Sequence, residues 1–208
     1  MPLIELAKVR LRPSIQTQTS TSSFNELWRS VLEIMTTKAG TPFQLYRSTS
    51  DATIYYLVGG WRTADEHIAF LSSPQAVEFA KAIGQYVSAE IVQHIEGDID
   101  TLGAVRPKRL RVTLAKLHES EAIRWENQWK SRKGAGGWDR SASVQKDHQA
   151  FAKMGEVTDS PSAFGGNIER EMLNWVWIDD AASGDVFGKT SPTGTAKMKS
   201  FELEHVLG

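Results

Sequence analysis

Cysteine is absent from the 208 residues. That excludes disulfides, thiol nucleophiles and cysteine-ligated zinc or iron–sulfur centres. A charge excess of either sign is also missing, with 24 Lys and Arg against 25 Asp and Glu. Nucleic acid is therefore not expected as the main partner, because phosphate recognition needs a basic face. No apolar run approaches the length of a membrane span. The N-terminal "MPLIELAKVRLRP" carries Glu5 and no long apolar stretch, so it does not read as a secretory signal. A soluble cytoplasmic protein follows as the expectation. No phosphate loop is present: "GAGG" at 134–137 follows a helical stretch and precedes "WDRS", the wrong context for a dinucleotide fingerprint. A GxSxG nucleophile elbow is missing too. Flavin, nicotinamide and haem have no warrant in the sequence, and no cofactor is expected.

What is present reads in order through the first half. "LIELAKVRL" at 3–11 alternates as a strand does, with Ile4, Leu6, Lys8 and Arg10 on one side and Leu3, Ala7, Val9 and Leu11 on the other. After a polar break, Phe24, Leu27, Trp28, Val31, Leu32 and Met35 recur at helical spacing. Two β-rich runs, "PFQLYRS" and "TIYYLVGGW", are joined by "TSDA". "TADE" follows as a capping box, with Thr63 as the cap and Glu66 three residues on. The helix breaks at "SSP", and Pro74 restarts it at a first-turn position. "SAEIVQHIEG" closes the half as a strand. The order is β-α-β-β-α-β, a ferredoxin-like unit whose sheet carries helices on one face and leaves the other bare. A sheet half-bare in this way needs a partner.

The second half supplies one. "RLRVTLAKLH" at 109–118 is a strand, and "AKL" at 115–117 lines up with "AKV" at 7–9. "SFELEHVLG" ends the chain as "AEIVQHIEG" ended the first half, so that His94 corresponds to His205. Two nearly equal offsets point to duplicated units, and the expected division is 1–103 and 104–208. The second unit is divergent, with an insertion at about 133–167 and a Gly/Ser/Thr-rich stretch after its Trp-rich strand "LNWVWID". "SVQKDHQAFAKM" reads as a short helix within that insertion, which could serve as a lid.

"YYLVGGWRTADEHIAFLSSPQ", residues 55–75, resembles the strand–helix signature of antibiotic biosynthesis monooxygenase-like proteins of the dimeric α+β barrel superfamily. In that signature a strand ends in an aromatic residue, and a histidine on the next helix precedes a short break. The resemblance implies two antiparallel sheets packed face to face into a barrel, which a chain with two copies can build alone. It further implies a cofactor-independent monooxygenase or related tailoring enzyme acting on an aromatic polyketide-like small molecule, with dioxygen as co-substrate. A polyketide cyclase or isomerase on the same barrel, and a non-catalytic small-molecule-binding barrel, are the alternative readings. A homodimer through outer strands or helices is allowed without being required.

The candidate site residues follow from both lines. His67 lies one turn past a capped helix N-terminus, where the helix dipole favours a neutral imidazole able to accept a proton. The resemblance implies that this helix face lines the barrel mouth, with His67 as catalytic base. Trp61 is either an end-of-strand anchor or, through its indole N–H, a donor to a substrate oxygen. Tyr55 and Tyr56 must point to opposite faces of their strand. In the second unit, Trp175 and Trp177 share one face and Asn174 the other, so the tryptophans either fill a core or wall a pocket for a flat ligand. Arg47 reads as a surface salt bridge. His94 and His205 sit on corresponding closing strands and read as barrel-packing or edge positions, so no metal site is expected. His118 ends a strand at the surface, and His148 lies in the insertion.

Overall fold

A computed structural model describes residues 1–15, 22–103, 106–130, 132–141, 172–183 and 197–208. The first half runs β1 (Leu3–Leu11), α1 (Ser22–Ala39), β2 (Gln44–Ser48), β3 (Ile54–Trp61), α2 (Ala64–Leu71), α3 (Pro74–Ile83) and β4 (Val87–Glu96). In the second half are β5 (Arg109–His118), α4 (Ala122–Lys130), β6 (Ala135–Trp138), β7 (Met172–Asp180) and β8 (Lys197–Leu207). The helix starts obey the local chemistry of the sequence. Thr63 accepts a hydrogen bond from the Glu66 N–H at 3.2 Å, and Ser73 accepts one from the Ala76 N–H at 3.2 Å ahead of Pro74. The Glu66 carboxylate pairs with Arg62 at 3.2 Å.

All eight strands belong to one sheet, in the order β4-β1-β3-β2-β8-β5-β7-β6. Each half repeats the ferredoxin-like arrangement, with its first strand flanked by its last and its third. The halves join where β2 pairs antiparallel with β8, placing Tyr46 opposite His205 and Arg47 opposite Glu204. At the far edges, Ile95 of β4 bridges Asp139, just past β6, and the Arg140 N–H donates to the His94 carbonyl at 2.7 Å. The sheet thus curls round as an α+β barrel whose two edges meet at the end of β4.

Closure sorts the side chains into three apolar layers by strand alternation. Ile4, Leu6, Tyr56, Val58, Ile95, Val112, Val176 and Ile178 fill the barrel interior. Leu3, Val9, Tyr55, Leu57 and Trp61 face outward against α1, α2 and α3, meeting Phe24, Trp28, Met35 and Phe70. On the second unit the outward layer is built from tryptophans, with Trp175 and Trp177 packed against Trp125 and Trp129 of α4.

One expectation is corrected. The stretch from 133 does not begin an insertion, because its first residues form β6, which pairs with β7 over Ala135–Trp138. "AGGW" carries no β-branched signal, and the reason lies in the seam. A Cβ on Gly137 would sit 2.0 Å from the Glu96 carbonyl oxygen of β4, so only a residue without a side chain lets the two edges meet. The rest of the stretch from 142, the proposed short helix and His148 lie outside the described residues, as does 184–196. Gly137→Ala is expected to lower stability by about 2–3 kcal/mol through overpacking at this backbone contact. Urea unfolding checks it, and an unchanged midpoint would show that the seam does not constrain this position.

Candidate functional site

Outward-facing positions of β1, β3 and β4 and one position of α2 converge on a buried polar group. Glu5, His67 and His94 are 6%, 1% and 1% exposed, which places three titratable side chains inside an apolar layer. The Trp61 indole N–H donates to Glu5 Oε2 at 2.7 Å. His67 Nε2 lies 3.2 Å from the same oxygen. The His67 ring stacks on Trp61 at 4.8 Å between centroids, and the His94 ring lies 4.7 Å from that of His67. The antiparallel register sets Glu5 directly opposite His94. Burial pushes the Glu5 carboxyl up, against opposing pulls from His94 and the Trp61 hydrogen bond. Burial likewise lowers His94 to about 4, with His67 pushing the same way and Glu5 and Asp139 opposing. His94 is therefore a neutral imidazole at physiological pH. Neither of its ring nitrogens has a hydrogen-bond partner among the described residues.

This geometry revises several expected roles. His67 does not line a barrel mouth; it is enclosed between α2 and the outer face of the sheet, because α2 packs on the Trp61 side of β3. The Trp61 N–H is committed to Glu5 and is not available to a substrate oxygen. Tyr55 and Tyr56 do separate by face. Tyr55 lies under α1, 5.7 Å from the Phe24 ring, and Tyr56 stacks inside the barrel on Phe201 at 5.2 Å. Burial raises the Tyr56 hydroxyl to about 12. Trp175 and Trp177 do not wall the barrel pocket. They form the outward layer with α4, with Trp177 5.1 Å from Trp129 and Trp175 edge-on to Trp138 at 4.7 Å. Asn174, on the other face, shares the barrel side with Val176, and its Oδ1 is buried without a hydrogen-bond partner among the described residues. Arg47 pairs with Glu204 at 3.3 Å on the surface. His118 is held locally, its Nδ1 2.7 Å from Ser120 Oγ.

Among the hollows that the described residues form beside the barrel, two bear on ligand binding. The interior one is small, about 180 Å³, and mixes Leu6, Ile54 and Phe201 with Lys8, Gln93 and Lys199. Among the described residues, no histidine borders it. The second is a cleft of about 570 Å³ between α1 and the β2–β8 junction, lined by Leu32, Thr36, Phe43, Val206 and Leu207, with Arg29 and His205 at its margins. His205 packs edge-on to Tyr46 at 5.4 Å. Burial lowers its pKa, opposed by a backbone hydrogen bond with Leu207. Its Nε2 is buried without a hydrogen-bond partner among the described residues. Sequence reasoning missed this cleft, since no local pattern joins α1 to the last strand. It also missed Glu5, although an acid among Leu3, Ala7 and Val9 on one strand face was a readable signal.

Solved structures that this fold matches include two named as monooxygenases and one named as a chlorite dismutase. A candidate monooxygenase of Fusobacterium nucleatum subsp. nucleatum aligns with a TM-score of 0.60 at 11% identity, covering 98% of this chain and 92% of its own. A candidate monooxygenase of Lactobacillus acidophilus aligns at 0.56 and 7% identity, covering 98% and 93%. A candidate chlorite dismutase, TA0507, aligns at 0.59 and 12% identity, covering 99% and 94%. No family model and no curated protein matches the sequence. At these identities the likeness establishes the dimeric α+β barrel fold, over nearly the whole chain. Among the described residues, no helix is long and apolar enough to cross a membrane.

Trp61→Phe removes the one donor that Glu5 takes from the indole while keeping the aromatic packing. It is expected to cost about 1–3 kcal/mol, the range for a buried acceptor left short of a hydrogen bond. Thermal denaturation at neutral pH measures it; a loss of a few tenths would mean that the bond contributes little.

Proposed function

We propose that this protein is a monooxygenase-type enzyme that binds a small, flat, ionisable aromatic molecule in the cleft between α1 and the β2–β8 junction and oxidises it with dioxygen. The observation that carries the proposal is an apolar cleft of about 570 Å³ lined in part by His205, whose buried Nε2 has no hydrogen-bond partner among the described residues. That volume falls within the range of sites for small organic ligands, roughly 300–1,000 Å³, whereas the 180 Å³ interior hollow does not. The barrel fold and its oxidatively named neighbours support the reaction class, as does the resemblance of residues 55–75 to antibiotic biosynthesis monooxygenases.

In this reading the base is His205, in place of His67. The backbone hydrogen bond with Leu207 fixes the ring, leaving Nε2 to accept the proton of an acidic phenol or anthrone. Burial lowers the ring's pKa and so favours the neutral imidazole. Arg29 at the margin offsets the negative charge that develops on the substrate. The resulting carbanion passes one electron to dioxygen, and the substrate radical and superoxide recombine into a peroxide. Loss of water then converts the substrate methylene to a carbonyl. One dioxygen is consumed per turnover, with one oxygen atom in the product and one in water. Leu32, Phe43 and Leu207 give the cleft an apolar wall, against which the carbanion is less readily reprotonated.

The test is oxygen uptake with a hydroxylated anthrone. His205→Gln is expected to reduce kcat/KM by about 100-fold or more, the usual contribution of a positioned base. Leu32→Trp, which fills the cleft, should raise KM. In the wild type, the acid limb of kcat/KM should lie below the ordinary imidazole value of about 6.5, since a base with a lowered pKa stays unprotonated further into acid. An unchanged rate in His205→Gln would sink the assignment of the base. Undiminished product formation without oxygen would replace the oxygenase with a cyclase or isomerase.

A further inference from the structure

Glu5, His67 and His94 form the one group of this kind among the described residues in which two imidazoles and a carboxylate converge, all buried, with ligand atoms within 4.8 Å of one another. We propose that they bind a single divalent transition-metal ion of the zinc class, in a site separate from the cleft.

Three features point to a ligand. The donor set is two nitrogens and one carboxylate oxygen, the composition that zinc and its first-row neighbours take from proteins. Ligands bonded at about 2.0–2.1 Å in a tetrahedron stand roughly 3.3–3.4 Å apart, and His67 Nε2 lies 3.2 Å from Glu5 Oε2. One edge of the coordination polyhedron is therefore already set. Modest rotation of the adjacent His94 ring completes the third corner, and the fourth is left to water. The independent observation is His94 itself. It is 1% exposed, and neither ring nitrogen has a hydrogen-bond partner among the described residues. Leaving such a group unsatisfied costs about 1–3 kcal/mol, and proteins rarely retain one without a use.

The surroundings fit a ligand shell. The Trp61 N–H donates to the Glu5 carboxylate, the kind of outer contact that orients a metal-binding carboxylate. Stacking on Trp61, which itself packs against the Phe70 ring, fixes the plane of His67. The His94 backbone is pinned from both sides, its N–H donating to Ser141 Oγ at 2.9 Å and its carbonyl accepting from Arg140. The three donors come from β1, α2 and β4, so an ion here would clamp α2 to the sheet beside the seam where the barrel closes.

The experiment is titration of chelator-treated full-length protein with ZnCl2 and with CoCl2, following heat, visible absorption and melting temperature. The expected result is one equivalent bound per chain, a tetrahedral or five-coordinate Co(II) spectrum, and a melting temperature that rises with zinc. Glu5→Gln keeps an acceptor for Trp61 and His94→Gln keeps a polar side chain of similar reach, and circular dichroism confirms that both fold. Each should weaken zinc at least about 100-fold, beyond the 10- to 100-fold typical of outer-shell changes. His118→Ala, on the surface, should bind as the wild type does. No stoichiometric binding up to 100-fold excess zinc would overturn the proposal. So would binding that survives both Glu5→Gln and His94→Gln, or that His118→Ala abolishes. None of these outcomes bears on the cleft, whose test is oxygen uptake.

Discussion

The two four-stranded halves of the sheet, each apolar on both faces but covered by helices on only one, can be satisfied in water only by meeting each other. Ile4, Leu6, Val58 and Ile95 from the first half and Val112, Leu114, Val176 and Ile178 from the second bury one another in the interior. Neither set has another place to go. The edges follow from the faces: once the interiors meet, β2 pairs with β8, and β4 comes against the end of β6. Every other feature depends on that closure. It fixes where α1 lies relative to the last strand, and so creates the cleft. It also pins the His94 backbone at the seam, beneath α2.

The outward layers divide the work unequally. The first unit packs Phe24, Trp28, Phe43 and Phe70 against its sheet, yet admits Glu5 and two histidines to the same layer. A polar group placed there is held by its neighbours, because every atom that could relax is packed. The second unit builds its layer around Trp125, Trp129, Trp175 and Trp177, a tight aromatic stratum with a different chemical character. Its buried charge is a separate one, with Arg111 Nε 3.7 Å from Asp179 on adjacent strands. Duplicated topology thus carries two dissimilar chemistries. His94 and His205, which occupy corresponding closing strands, illustrate it: one is sealed in the polar cluster and the other borders the cleft.

The chain's own alternation and capping residues determined most of the architecture. Period-two apolar residues at 3–11 and 109–118, helical spacing from Phe24 to Met35, Thr63 and Ser73 as caps, and the break before Pro74 act within a few residues, where sequence distance and spatial distance agree. The repeat of "AKV" as "AKL" and the bare sheet faces sufficed to pair the halves. β6 was not legible, because "AGGW" is a strand through its pairing with β7 and Gly137 is demanded by the Glu96 carbonyl across the seam, and no propensity encodes neighbours so far along the chain.

The site depended on tertiary structure for the same reason. The sequence singled out His67 and Trp61 but could not say which side of the sheet α2 would cover, and that choice turned both away from the barrel interior. Glu5, His67 and His94 come from three separate elements, and His205 and Leu32 come to line one cleft only through the pairing of β2 with β8. Local periodicity decides which residues share a face. What lies opposite that face is decided by the packing of elements far apart in sequence.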